Sequence, residues 1–217
     1  MEDILKVEKK AKYNFNIGNY EKIIGLELKK VAKNELEKAK ARENLAKKEL
    51  ELTKAKENLS EKTRKYIKDK QDVREILKLS ESGLKIELDR ANYVEKVAEV
   101  QIEIAENHLK IAKLEREIAA AKIKLAEEKT NLAKERGNLS KIQYKYVNLM
   151  QKDAPAEKTK TIAEDIKKQE EKLNKIKDKV NERTIDLNKV DIKISDMKKA
   201  LSEILSRREK IRPQISS

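Results

Sequence analysis

The sequence predicts an all-α protein: an elongated antiparallel three-helix coiled-coil rod with a short N-terminal helix. Three observations predict it. Of 217 residues, 43% are charged and 38% hydrophobic, with four glycines, two prolines and no cysteine or tryptophan. A chain this rich in Lys, Glu, Leu, Ala and Ile forms long helices when its pattern is periodic. The pattern is periodic, with aliphatic residues and alanines recurring every seven positions. Breaking signals are few enough to read as boundaries.

Ile17-Gly18-Asn19, Ser80-Glu81-Ser82-Gly83 and Asp153-Ala154-Pro155 divide the chain, and Arg212-Pro213 closes it. The expected helices span about 3–17, 19–79, 84–151 and 157–211, within a single elongated helical domain over residues 1–217. Gly25 and Gly137 fall inside helical pattern, where each costs up to about 1 kcal/mol relative to alanine.

The first long segment carries a small row, Gly25, Ala32, Ala39, Ala46, Thr53 and Ser60. A large row sits beside it, Ile24, Val31, Leu45, Leu52, Leu59, Tyr66 and Val73, interrupted by Lys38. The second segment repeats the design. Its small row runs from Ala91 through Ala98, Ala105, Ala112, Ala119, Ala126 and Ala133 to Ser140; its large row runs from Val97 to Leu139. Residues 31–67 and 111–147 align without gaps at 15 of 37 positions, which points to an internal duplication. The third segment is a plain heptad, with Ile166, Leu173, Val180, Leu187, Ile194 and Leu201 in one row. Its second row, Ile162 to Ile211, is broken by Gln169 and Arg183, while Ile185 and Ile192 lie off both rows and suggest a second contact face.

Folding the first two segments back at Ser80–Gly83 pairs residues whose numbers sum to about 164. Leu45 then faces Ala119, Leu52 faces Ala112, and Leu59 faces Ala105. Every large residue meets a small one, which permits close approach without voids. A register displaced by one heptad keeps the match; the turn position selects this one. At a rise of about 1.5 Å per residue the rod is on the order of 80–100 Å long. Tyr13, Phe15, Tyr20, Tyr144 and Tyr146 come to one end, as a small aromatic core or, alternatively, a docking end for a partner.

No constellation of residues suggests catalysis, and the chain reads as a non-enzyme with no catalytic, cofactor-binding or metal site and no cofactor. The single histidine, His108, shares a polar row with Gln101, Glu115, Lys122 and Lys129. Glu127-Glu128 and Glu170-Glu171 are adjacent on a helix, so each pair diverges by about 100° rather than converging on one ligand.

The net charge of +13 comes from 53 basic residues interleaved with 40 acidic ones, a pattern that mostly describes a solvated surface. Arg64, Lys65, Lys68, Lys70 and Arg74 near one turn, with Arg207, Arg208, Lys210 and Arg212 near the C-terminus, form two basic clusters. They suit an acidic protein surface; nucleic acid is disfavoured, because no recognition module accompanies them and aromatic content is 3%. No apolar run reaches the roughly 20 residues of a membrane span. The start, MEDILKVEKKAKYN, is not a signal peptide, so the chain reads as cytoplasmic or as a processed form.

The stretch GNYEKIIGLELKKVAKNELEKAKA, residues 18–41, together with VAEVQIEIAENHLKIAKLEREIAAAK, resembles the flagellar coiling proteins of spirochaetes. The resemblance covers about residues 18–150. It implies an elongated α-helical protein of the periplasm that coats the flagellar filament as a sheath and imposes its curvature. It brings no catalytic residues. The expected partners are then other flagellar filament or sheath proteins, with self-association. The alternative expectation is a cytoplasmic coiled-coil scaffold or adaptor with nucleic-acid affinity.

Overall fold

The computed structural model describes the backbone of residues 2–77, 81–152 and 154–211; the side chains of Glu2, of residues 71–85 and of Glu87 lie outside the description. Three helices make up the fold: α1 (Glu2–Leu77), α2 (Glu81–Gln151) and α3 (Ala156–Lys210). Among the described residues there is no strand. The all-α expectation holds, with two corrections to its boundaries.

The short N-terminal helix is not separate. α1 passes through Ile17-Gly18-Asn19 unbroken. Gly18 is there for close approach: a Cβ built on it would lie 3.0 Å from the Ala133 carbonyl oxygen and 3.2 Å from the Gly137 nitrogen. The Ser80–Gly83 pivot is also displaced, since α2 is already helical at Ser82 and Gly83. Ser80 itself lies outside the described residues.

The third break falls where expected. The Ala154 N–H donates to the Leu149 carbonyl at 3.1 Å and closes α2, and the Pro155 carbonyl accepts from Lys158 at 3.0 Å to open α3. A proline just before the first helical turn forfeits no hydrogen bond there.

The chain divides into two compact units. The first comprises Met1–Glu37 with Glu117–Val190, the second Lys38–Arg116 with Asp191–Ser217. In the first unit, Glu21 pairs with Arg136 at 3.1 Å and Glu35 with Lys122 at 2.8 Å, while the Asn14 amide donates to Gln143 at 2.9 Å. In the second, Arg42 pairs with Glu115 at 3.0 Å and Glu49 with His108 at 3.2 Å. The partner numbers of all five pairs sum to 157. So α1 and α2 run antiparallel within each unit, one heptad away from the expected register.

The reason is electrostatic. At a sum of 164, Glu115 would oppose Glu49 and Lys122 would oppose Arg42. The alanine rows are indifferent to a slide of seven residues, but this polar row is not.

Burial also corrects the expected packing. The α1 small row is buried at Ala32, Ala39, Ala46, Thr53 and Ser60, but Leu45, Leu52 and Leu59 are exposed. Adjacent helix residues diverge by about 100°, so if Ala46 points at α2, Leu45 cannot. The α1 seam is completed instead three and four residues away, by buried Glu43 and half-buried Leu50 and Glu57. On α2 the alanine row is buried and so is the large row except for half-buried Val97 and Leu125, because α2 has a neighbour on each side. Gln169 and Arg183 of α3 reach its carboxylates in the first unit, and Lys198 and Arg207 do so in the second.

Gly18 and Gly137 therefore respond oppositely to the same change. Gly18→Ala is expected to lower stability by about 1–2 kcal/mol, since overpacking costs more than the roughly 1 kcal/mol gained in helix propensity. Gly137→Ala, where an added Cβ meets nothing within 4 Å, is expected to raise it by about 0.5–1 kcal/mol. Urea titration of both variants checks the pair.

Candidate interaction surface

The most prominent surface feature of the second unit is the α1 row turned away from α2. Leu45, Leu52, Leu59 and Tyr66 are 68%, 58%, 66% and 60% exposed. Single exposed aliphatics are ordinary, but a heptad-spaced row of them describes a helix face without a neighbour. Ala41 and Ala55 interleave at the three-four spacing of a second seam. A groove of about 560 Å³ adjoins this row between α1 and α2, lined by Leu59, Ile67, Ala91, Val94 and Val97 among others. α3 ends at Lys210, shortly after Arg207 pairs with Glu103.

The first unit carries its own outward patch on α1. Tyr13, Phe15, Tyr20, Ile23, Ile24 and Val31 are all exposed. The expected aromatic core is therefore not assembled. The reason is rotational: Ala11 and Gly18 occupy the inner face, which turns Tyr13 and Tyr20 outward. Ser140 takes the inward position opposite, donating to the Ala11 carbonyl at 2.7 Å. Phe15 and Tyr144 instead line a shallow groove of about 490 Å³ with Lys141, Lys145 and Lys152.

Arg64, Lys65 and Arg207 of the two basic clusters are matched by acids. Arg64 donates to both oxygens of Glu95, Lys65 pairs with Glu61 at 2.9 Å, and Lys70 sits 4.9 Å above the Tyr66 ring. Arg207 pairs with Glu103 at 2.8 Å. The side chain of Arg74 and all of Arg212 lie outside the described residues. A matched cation has less to offer a phosphate, since it must leave one anion to meet another.

The other singled-out polar residues are placed as bridges between helices. His108 bonds Glu49 across to α1. Glu127 and Glu128 diverge as their spacing predicts: Glu127 meets Lys29 of α1 at 2.9 Å and Glu128 meets Arg183 of α3 at 3.4 Å. The hydrogen bond from Lys29 holds Glu127 below its ordinary carboxylate range. Glu170 and Glu171 are exposed. Among the described residues, no three metal-ligating side chains gather, and no helix is long and apolar enough to cross a membrane.

Three polar groupings escaped sequence reasoning. Glu43 is buried yet ionised; chiefly a hydrogen bond from Lys47, assisted by Arg116 at 2.9 Å, lowers its pKa. Glu135, only 12% exposed, accepts from Lys172 at 2.9 Å, Gln169 at 2.6 Å and Asn138 at 3.1 Å. The interhelical row of Glu21, Glu35, Arg42 and Glu49 was visible as charges, but not as a register code.

Comparison with known proteins finds no matching family model, no matching curated protein and no matching solved structure.

Proposed function

We propose that this chain is a non-enzymatic structural protein of a bacterial periplasmic flagellar sheath. In this reading it is an antiparallel three-helix coiled-coil rod that assembles laterally on the filament, sets its curvature and supports motility. The observation that carries the assembly role is the row of Leu45, Leu52, Leu59 and Tyr66 left outward on α1. A helix face with that spacing is complementary to another helix. Heterologous contacts repeated without closure generate a helical coat rather than a closed oligomer. The likeness of residues 18–150 to flagellar coiling proteins supplies the filament.

The test is fractionation and imaging in the source bacterium. The protein is expected in the purified filament fraction, and deleting its gene is expected to change filament curvature. Recovery in the cytoplasm, with filaments of unaltered shape, would refute the reading. The cytoplasmic scaffold with nucleic-acid affinity has the +13 surplus in its favour. It requires a salt-dependent gel shift with DNA, which the pairing of Arg64 and Arg207 with acids argues against.

A further inference from the structure

We propose that the outward row of α1 in the second unit takes a second copy of this chain, α1 against α1, antiparallel and related by a two-fold axis near Thr53–Lys54. The inference rests on the same exposed row as the assembly reading, but names the occupant and its orientation. The outward seam alternates steps of four and three: Ala41, Leu45, Lys48, Leu52, Ala55, Leu59, Lys62, Tyr66. Only a helix with the same repeat covers such a seam along its length, and the nearest supply of that repeat is the row itself.

Charge selects the alignment. A parallel, in-register pair would set Lys38, Lys48 and Lys62 each against its own copy in the seam. Like charges directly opposed destabilise a helix pair. An antiparallel pair whose residue numbers sum to 107 has none of these conflicts. Lys38 then meets Asp69 in the seam, and on the flank, where facing numbers sum to 105, Glu49 meets Lys56. Leu52 meets Ala55, so a large side chain again faces a small one. Leu45 and Leu59 lie along the aliphatic stems of Lys62 and Lys48, whose ammonium groups reach solvent.

The neighbouring antiparallel registers fail. A sum of 100 opposes Lys38 to Lys62 in the seam and, on the flank at 98, Arg42 to Lys56. A sum of 114, with its flank at 112, opposes Arg42 to Lys70 and Lys56 to itself. A two-fold pair also repeats each favourable contact, because the interface is made of the same patch twice.

The chain has no cysteine, so introduced thiols report the alignment directly. Leu45→Cys and Lys62→Cys are made as separate proteins. Mixed and mildly oxidised, they are expected to yield a cross-linked species at twice 25.2 kDa. Leu45→Cys alone is expected to stay uncross-linked, since its copy lies about 25 Å away along the axis, beyond the roughly 7 Å that a disulfide spans. Efficient cross-linking of Leu45→Cys to itself would overturn the proposal in favour of parallel pairing.

Sedimentation equilibrium of the unaltered chain is expected to show doubled mass at tens of micromolar. Leu52→Lys, with helicity by circular dichroism unchanged, is expected to weaken association at least about tenfold. A chain that stays monomeric at about 100 µM, or a folded Leu52→Lys that dimerises as before, would overturn it. A monomer that still sediments with filaments sinks this proposal and spares the filament reading; a dimer absent from filaments does the reverse.

Discussion

Replacing Ala105 by leucine is expected to destabilise the protein by about 2–3 kcal/mol, whereas replacing Leu52 by alanine changes the stability of the isolated chain by about 0.5 kcal/mol or less. Hydrophobicity alone predicts the reverse. Leu52 is the larger apolar side chain, but more than half of it is in water; Ala105 is 1% exposed. The observed register sets Ala105 within one residue of Thr53, which holds the inner face of α1. Three added carbons there have no space unless the helices separate. Gly25 shows how little space the seam leaves: a Cβ on it would lie 2.5 Å from the Thr130 hydroxyl and 3.2 Å from the Thr130 nitrogen. Thermal unfolding of both variants at low micromolar concentration decides the matter. If Leu52→Ala is the costlier change, the buried face of α1 has been misassigned.

The second large effect is acid sensitivity centred on Glu135. Burial alone would raise its pKa, but hydrogen bonds from Lys172, Gln169 and Asn138 and the Lys172 charge outweigh burial and bring it from 4.5 down to about 2. The folded value lies below the unfolded one, so the folded state favours the ionised carboxylate. The resulting stability is fully present above about pH 4.5 and is lost as pH falls from there through about 2. At about 1.4 kcal/mol per pKa unit, the effect is on the order of 3–4 kcal/mol.

Glu135→Gln is expected to be less stable near pH 6 and to have a flatter acid limb. Urea unfolding at pH 6 and pH 2.5 for both proteins checks it. Equal losses on acidification in the two proteins would show that Glu135 is not the responsible group. The loss should concentrate where α3 meets α2 in the first unit, since both Gln169 and Lys172 belong to α3.

Much of this fold was legible because a seven-residue repeat is a strong signal. The three helices, the buried alanines and the Pro155 boundary follow from it. The register was also present in the sequence, but in the residues set aside as a solvated flank. Glu21, Glu35, Arg42 and Glu49 carry signs opposite to those of Arg136, Lys122, Glu115 and His108 when protonated. Repeated alanines cannot distinguish two positions seven residues apart; alternating charges can.

Gln169 and Arg183 looked like flaws in the α3 heptad, yet each is answered by a carboxylate on α2, Glu135 or Glu128. A buried polar residue needs a partner, and that partner lies 34 or 55 residues away. Pattern along one helix does not contain it.

The outward row of α1 was misread for a geometric reason. Two neighbouring apolar rows were both assigned to one partner, although a helix shows a partner only one stripe. α2 keeps its alanine row and most of its large row dry because it serves two neighbours. α1 turns one face to α2 and leaves Leu45, Leu52 and Leu59 in water. The aromatic residues near the N-terminus were misplaced with them. Their grouping in the sequence was real, but Ala11 and Gly18 had already taken the inward positions.

The spread of the polar bridges between α1 and α2 also dictates an order of assembly. Arg64 and Glu95 are separated by 31 residues of chain, Arg42 and Glu115 by 73, and Asn14 and Gln143 by 129. Closing the shortest loop costs the least entropy and brings the next pair within reach. Pairing therefore proceeds from the shortest loop to the longest, and during synthesis Asn14 waits longest for its partner. A newly made chain leaves Ala11 and Gly18 uncovered until residues 133–143 have been added.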